Sequence, residues 1–576
     1  MTSRKCGERS FRDLIIEHMV KGVPAAKKRF DRKTGWFRYV GEGASARLRE
    51  QDIIISIALL YTADSPANTM RGSKEVLALA SRAGDALLDD MDSEGRFSGL
   101  KTDGSDWGRG YSCWTAYYWL EAYVLLRDYL DPMRRRRWEK GLRLTHTGAA
   151  RELEEKWKGR THNIATWFAM SLVRAGQVFE VPEWIELGAD KCRTTARHQH
   201  PDGYWPEGSG PTIGYNLTYV HSLGLYYRFT GDAKVLPALR RATRFHLDFT
   251  YPDGTRVETV DGRQRYLAHD AGHAGKSAGT GWPGFAVTPE GRGLVAWCVE
   301  RLRERWPDGG LSPGLASAWQ HVPDDSGKTP PQAKRRYLSV YPPKHPRTIV
   351  RRSGPWFVCL SGYLTPPRER KNYTLKRWIM DRAQHLSIWH EKVGLVVGGG
   401  NSKNDPARST FIVWSGNRCF YVADSAELKA STKEGDAITL RYGRRRCTLN
   451  VKALGPDRIE VVFSGPEKGK CSATASFTMP FQPGSRLTNS KGSPATEANP
   501  LRVWARTWSE QDKGPRWFQT DACRVQVPTG SSVEWPVYPF NPYAINGAAP
   551  PDQAVARVAT DVSPGEGAKR FVIKIV

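Results

Sequence analysis

SCWTAYYWLEAYVLLRDYL, residues 112–130, is apolar or aromatic at nearly every position, with no glycine or proline to interrupt it. A helix with that composition is buried all round. Three more segments read the same way: QDIIISIALLYT (51–62), NIATWFAMSLVRAG (163–176) and NLTYVHSLGLYYRF (216–229). Between them lie amphipathic stretches at 73–91, 134–145, 183–198 and 233–248. In the last of these, Leu239, Ala242, Phe245 and Leu247 recur at helical spacing. A buried helix therefore alternates with a half-exposed one, and the buried starts at 112, 163 and 216 recur roughly every 50 residues, the period of a helical-hairpin repeat. Hairpins with one helix inside and one outside close naturally into an (α/α) toroid. An open superhelix is the competing arrangement.

The period changes after the proline-rich PPKHPRT (342–348). TIVRRSGPWFVCLSGYL, LSIWHEKVGLVVGGG, STFIVWSGNRCFYVAD, AITLRYGRRRCTLNVKAL, RIEVVFSG and the final RFVIKIV alternate or run in β-branched and aromatic residues, separated by glycine turns. That pattern predicts an antiparallel β-sandwich. The expected organisation is a toroid over 1–340 and a sandwich over 341–576, with the boundary inside 335–348.

A chain of 576 residues exceeds what one core usually serves. Its 39% hydrophobic and 11% aromatic content excludes global disorder. No apolar run approaches the roughly 18 residues of a membrane span, and MTSRKCGERSFRDLIIEHMVKG lacks the apolar stretch of a signal peptide. The expectation is a protein that stays inside the cell, or one whose natural start lies upstream. Nine cysteines at 6, 113, 192, 298, 359, 419, 447, 471 and 523 form no CxxC pair and read as buried thiols rather than as a disulfide framework or zinc ribbon. The 86 basic and 60 acidic residues give +26, which favours a polyanionic partner. A solvated basic surface explains runs such as Arg134–Arg137 equally well. No nucleic-acid reader motif is visible and the basic residues are dispersed, so nucleic acid and membrane are not the expected partners. An acidic polysaccharide is.

In a ring of hairpins, the loops that lead into inner helices emerge at one end. Those loops are GSDWGRGYS (104–112), GRTHN (159–163), DGYWPEGSGPTIGYN (202–216) and DGRQRYLAHDAGHAGKSAGTGWPG (261–284). Long polar loops in compact domains commonly carry function. Together they would line a cleft with Arg109, Tyr111, His162, Asn163, Tyr215, Arg263, Arg265, Tyr266 and His273, while Trp107 and Trp205 supply stacking faces. Amide, imidazole, phenol and guanidinium groups without a carboxylate dyad or metal cluster suit β-elimination from a uronic acid. The substrate carboxylate must be neutralised so that its α-proton can leave. A Tyr or His takes that proton, and a Tyr can return one to the departing glycosidic oxygen.

The chain resembles the heparinase II/III-like and alginate-lyase-type polysaccharide lyases. THNIATW (161–167) is similar to that superfamily's Asn-His-Gly-Thr-Trp segment, which places Asn163 on the carboxylate-neutralising Asn. Ile164 then stands where the family has His, and His162 lies on the other side. DGYWPEGSGPTIGYN resembles the Asp-Gly-Tyr…Glu-Gly-Pro…Tyr loop, which implies Tyr215 as acid/base, with Tyr219 one turn on as the reserve. DRAQHLSIWHEKVGLVVGGG resembles the strand pair after the family's His-x-Asp motif; Arg382 occupies the His position, and His385 is the nearest imidazole. The resemblance implies a toroid followed by a β-sandwich and catalysis by Asn163, Tyr215, His385 and His162, with His273 as the alternative separate base; no organic cofactor is implied, and a structural divalent metal has no support in the sequence.

Structural roles compete for each position. Asn163 suits a helix N-cap, Tyr215 a core position, and Asp202 and Glu207 the bracing of a glycine-rich loop. His198 and His200 point to different faces of a helix. His385 and His390 lie five apart in a strand and hence on opposite faces. Two other functions compete as well: a toroid glycoside hydrolase using Asp106, Asp202 and Glu207 as its carboxylates, and a protein that binds acidic glycans without cleaving them.

Overall fold

The computed structural model describes residues 10–39, 46–207, 210–261, 277–324, 327–328, 332–339, 346–364, 383–403, 405–480, 487–489, 494–495, 516–542, 544 and 546–576. The chain divides into two compact units. One comprises Met1–Trp205, Gly214–Leu247 and Ala271–Pro331; the other comprises Pro206–Ile213, Asp248–Asp270 and Gln332–Val576.

The first unit is helical. The inner helices Ile54–Thr62, Cys113–Leu126 and Asn163–Phe179 lie side by side. Nearly every residue of the second and third is buried. The outer helices Lys74–Asp90, Pro132–Glu155 and Pro182–Arg197 bury one face each. Ser112 caps Cys113–Leu126 by accepting from the Thr115 amide, and Asp131 caps Pro132–Glu155 by accepting from Arg134. With that cap and proline at its first position, the helix expected at 134–145 runs ten residues further. A helix at Phe11–Arg29, with Pro24 inside it, adds to the set expected from periodicity.

The last hairpin returns to the first. Pro313–His321 packs on Ile54–Thr62 and on Phe11–Arg29. Ser56 Oγ donates to the Ser312 carbonyl at 2.9 Å, and the Gly310 amide donates to the His18 carbonyl at 3.1 Å. A Cβ on Gly22 would stand 2.4 Å from Gly310 Cα, so the two backbones touch where only glycine fits. This return makes the unit an (α/α) toroid of helical hairpins and sets the open superhelix aside.

The second unit is antiparallel β. Among the described residues, Arg335–Ser339, Pro346–Ser353, Trp356–Ser361, Leu386–His390 and Gly394–Val397 form a meander in chain order. A larger sheet has Arg445–Ala453, Arg458–Ser464 and Lys569–Ile575 at its centre, and a third sheet has Ser472–Pro480 and Val555–Asp561. Asp436–Tyr442 alternates buried and half-buried residues, as one covered sheet face requires. Phe463 and Phe571 of the larger sheet meet Phe477 of the third at 6.1 and 5.2 Å between ring centroids, which closes a sandwich core. No disulfide joins the described cysteines, most of which are buried.

Candidate active site in the helical unit

Asn163 is the first residue of its inner helix and is 1% exposed. Its Oδ1 accepts from the Ile164 amide at 2.6 Å, which leaves the NH2 as the face it can offer a ligand. The capping position itself belongs to His162, whose Nδ1 accepts from the same amide at 3.2 Å while its ring stacks on Trp157 at 4.5 Å. The positive end of the helix dipole favours anions, the same kind of group that the Asn163 NH2 attracts.

One turn on, Trp167 anchors an aromatic face. It meets Trp114 at 6.0 Å, Tyr118 at 5.9 Å and Tyr117 at 6.1 Å from the neighbouring inner helix. On its other side His221, from the helix Ile213–Thr230, stacks on it at 5.0 Å and 9°. His221 Nδ1 accepts from the Gly281 amide at 3.0 Å, so Nε2 carries the proton of a neutral ring, and burial pushes its pKa down to about 3. Trp114 in turn carries the Arg49 guanidinium 3.7 Å above its ring. Arg49 Nη1 donates to Asp52 Oδ2 at 3.3 Å, and Thr115 Oγ1 donates to Asp52 Oδ1 at 2.8 Å. Burial pushes the Asp52 carboxyl up to about 6 against the lowering pull of Arg49 and Thr115.

Tyr215 lies in the first turn of Ile213–Thr230 and is half-buried. Tyr219 and Trp205 are both fully buried, stacked on each other at 5.1 Å and 16°. Trp205 Nε1 donates to the Thr195 carbonyl at 2.8 Å, and Asn216 binds the Trp205 backbone at both amide and carbonyl. The expectation that Trp205 and Tyr219 contact substrate therefore meets rings whose faces are occupied by packing. Thr166, on the Asn163 helix, reaches Thr195 at 3.1 Å, and Thr161 reaches His198 at 2.8 Å. These contacts tie GRTHN and the helix it starts to the C-terminal end of Pro182–Arg197, just ahead of the 202–216 loop.

The 104–112 loop is tied elsewhere. Phe97 pairs with Gly110 and Leu100 with Asp106 in a small hairpin. Arg109 donates to the Asp90 and Arg96 carbonyls. Tyr111 Oη donates to the Glu94 carbonyl and accepts from Arg151, with its ring against Gly148 of the outer helix Pro132–Glu155. Tyr111 is thus anchored on the outer layer. Trp107 is 60% exposed, with the Lys101 ammonium 5.1 Å over its ring. Asp106 Oδ1 accepts from the Gly108 amide, and Asp202 sits 3.6 Å from His200. Arg263, Arg265, Tyr266, His273 and Arg382 lie outside the described residues.

In the strand-bearing unit His385 is fully buried, and its Nδ1 donates to the Ser361 carbonyl at 2.7 Å, which makes Nε2 its basic nitrogen. His390 is occupied on both nitrogens, by the Pro456 carbonyl and the Lys392 amide. Glu207, 7% exposed, pairs with Gly210 as an isolated bridge, and a Cβ on Gly210 would overlap Tyr363. Among the described residues, no group of three or more His, Cys, Asp or Glu could hold a metal ion, and no helix is long and apolar enough to cross a membrane.

Sequence pattern singled out Asn163, His162 and Tyr215. It missed Arg49, Asp52, Trp114 and His221. His221 lies six residues beyond Tyr215 on one helix, which was a usable signal. Arg49 and Asp52 sit in an ordinary charged turn, RLREQD, with nothing to set them apart.

No protein-family model matches this chain, and no curated protein matches its sequence. Solved structures do match in fold. A heparinase III gene product superposes with a TM-score of 0.52 at 12% identity, over 92% of this chain and 77% of that one. A Paenibacillus xanthan lyase gives 0.57 at 11% identity, over 100% of this chain, which spans 58% of the xanthan lyase chain. A chondroitin AC lyase from Streptomyces coelicolor A3 gives 0.50 at 12% identity, over 100% and 80% of the two chains. The chain shares the toroid-plus-sandwich fold of these polysaccharide lyases.

Proposed function

We propose that the protein is a polysaccharide lyase that cleaves a uronic-acid-containing polymer by β-elimination. The observation that carries this reading is Asn163: its carboxamide oxygen is held by the Ile164 amide, so its NH2 is the group presented at the start of an inner helix. The fold shared with heparinase III, xanthan lyase and chondroitin AC lyase supports the same reading, as does the net charge of +26, which suits an anionic polymer.

In the reaction, the Asn163 NH2, at the positive end of its helix, holds the substrate carboxylate and stabilises the charge that builds on it as the α-proton departs. Tyr215 takes that proton as phenolate and returns one to the glycosidic oxygen as phenol, and the C–O bond breaks to leave an unsaturated uronate. His162, stacked on Trp157, holds the helix start in place, and Trp107 offers an exposed ring to a sugar further along the chain.

The test is a screen of alginate, heparan, chondroitin, hyaluronan and ulvan polymers, monitored by the absorbance of the conjugated alkene. Tyr215→Phe is expected to lower the rate on the cleaved polymer by at least about 100-fold, the usual range for a lost acid/base. Asn163→Ala should cost about as much, as a lost transition-state donor does. Turnover unaffected by Tyr215→Phe, or cleavage that yields no alkene, would overturn the assignment.

A further inference from the structure

We propose that Arg49, laid on the Trp114 ring and tethered by Asp52, is a binding group for an anionic substituent of the polymer, a carboxylate or a sulfate. The inference rests on the lyase reading for its choice of ligand and on four observations for its site. The Arg49 side chain is 41% exposed although its guanidinium packs against a ring 3.7 Å away, so one face is fixed while the other meets solvent. Trp114 contacts Trp167, one turn beyond Asn163, which places Arg49 at the same end of the inner helices as the proposed carboxylate clamp. Among the described residues, the side-chain hydrogen bond of Arg49 goes to Asp52 at 3.3 Å, long for a charge-assisted bond. Asp52 itself is 3% exposed and held by Thr115, so it orients the guanidinium from beneath without competing for its outer edge.

A guanidinium stacked on an indole is pre-organised, because the ring restricts its torsions and leaves parallel N–H groups for bidentate recognition of a planar or tetrahedral anion. Arg47 offers a matched comparison. It stacks on Trp36 at 4.1 Å in the same turn, but Asp90 accepts from it at 2.7 Å, so it is already paired. Asp52 is a positioning residue. The groups that face it are Arg49, Glu50, Thr115, Cys113 and Tyr118. As a carboxylate it holds Arg49; once protonated it lets go.

The experiment is equilibrium binding, which needs no turnover, of the full chain and its variants to three size-matched oligosaccharides. These are hyaluronan (carboxylate only), chondroitin 4-sulfate (carboxylate and sulfate) and neutral dextran. Arg49→Gln is expected to weaken binding of at least one anionic probe about tenfold, the worth of one charge-assisted hydrogen bond. Arg47→Gln should change it less than twofold. Loss on both anionic probes assigns a carboxylate, and loss on the sulfated one alone assigns a sulfate. Arg49→Lys, which keeps the charge and loses the planar fork, should fall between, with thermal melting to confirm that both variants fold. Wild-type affinity should drop as pH falls through about 6, where Asp52 takes its proton, and Asp52→Asn should flatten that dependence. Unchanged binding in Arg49→Gln, equal losses in Arg47→Gln, or wild-type protein that prefers neither anionic probe over dextran would overturn the proposal. Binding that depends on Arg49 in a protein that cleaves no uronate polymer would leave this site standing and remove the lyase reading.

Discussion

Trp205 shows how one side chain can satisfy a motif and still do a different job. The sequence DGYWPEG invites a sugar-stacking role, because an aromatic beside glycines often lines a binding loop. In the structure its ring lies on Tyr219 and its N–H is bonded to Thr195. Trp205→Ala should therefore destabilise the protein by about 3–5 kcal/mol, the usual cost of removing a buried indole, and this is measurable by denaturant titration. A stacking platform would instead raise KM with stability unchanged. The placement of Asn163 was legible because an asparagine at the start of an apolar helix is a chain-local fact. Arg49 was not, because what distinguishes it is Trp114, 65 positions away, and a carboxylate buried by a helix that the local sequence does not mention.

Among the elements, alternation of inner and outer helices was readable in full-face against one-face hydrophobicity, since burial on every side leaves no polar stripe. Helix lengths were less readable: Pro132–Glu155 continues through THTGAARELEE, where polar residues dilute the pattern and the cap and inner packing decide. Helix-to-helix spacing was invisible. Gly224, inside Ile213–Thr230, would place a Cβ 2.2 Å from Gly284 Cα, so the backbones of that helix and Trp282–Phe285 are in contact. Gly224→Ala gains helix propensity worth about 1 kcal/mol but forces these backbones apart. The net expectation is a stability lower by about 1–3 kcal/mol, as overpacking usually costs, read as a lower urea midpoint with an unchanged slope. A midpoint that rises would show that the contact yields easily.

For the molecule as a whole, the two-part organisation was legible from the switch in hydrophobic period. The inclusion of Pro206–Ile213 and Asp248–Asp270 in the strand-bearing unit had no signal in composition or spacing. Titration is a property at this scale too. Burial pushes His18 and His146 down to about 4, and His221 and His321 down to about 3. Each is neutral when folded and binds a proton once unfolded below about 6.5. Unfolding between about pH 4 and 6.5 therefore takes up protons, and stability falls as pH falls through that window. Asp52 works the other way: its raised pKa favours the folded state below about 6, and that advantage is lost as pH rises. Four imidazoles outweigh one carboxyl, so the melting temperature of the helical unit should drop on acidification from pH 7 to 5. A flat or rising profile would contradict the buried neutral imidazoles.

The bond from Ser56 to the Ser312 carbonyl spans 256 positions of chain. On the ribosome, the helix Ile54–Thr62 emerges long before the segment that shields its remaining flank, because synthesis proceeds at roughly 5–20 residues per second. For that interval the nascent chain carries an uncovered apolar edge, and the ring is sealed only when Pro313–His321 arrives. Truncations that stop short of Pro313 should therefore aggregate during expression, whereas those that end beyond His321 can close the helical ring.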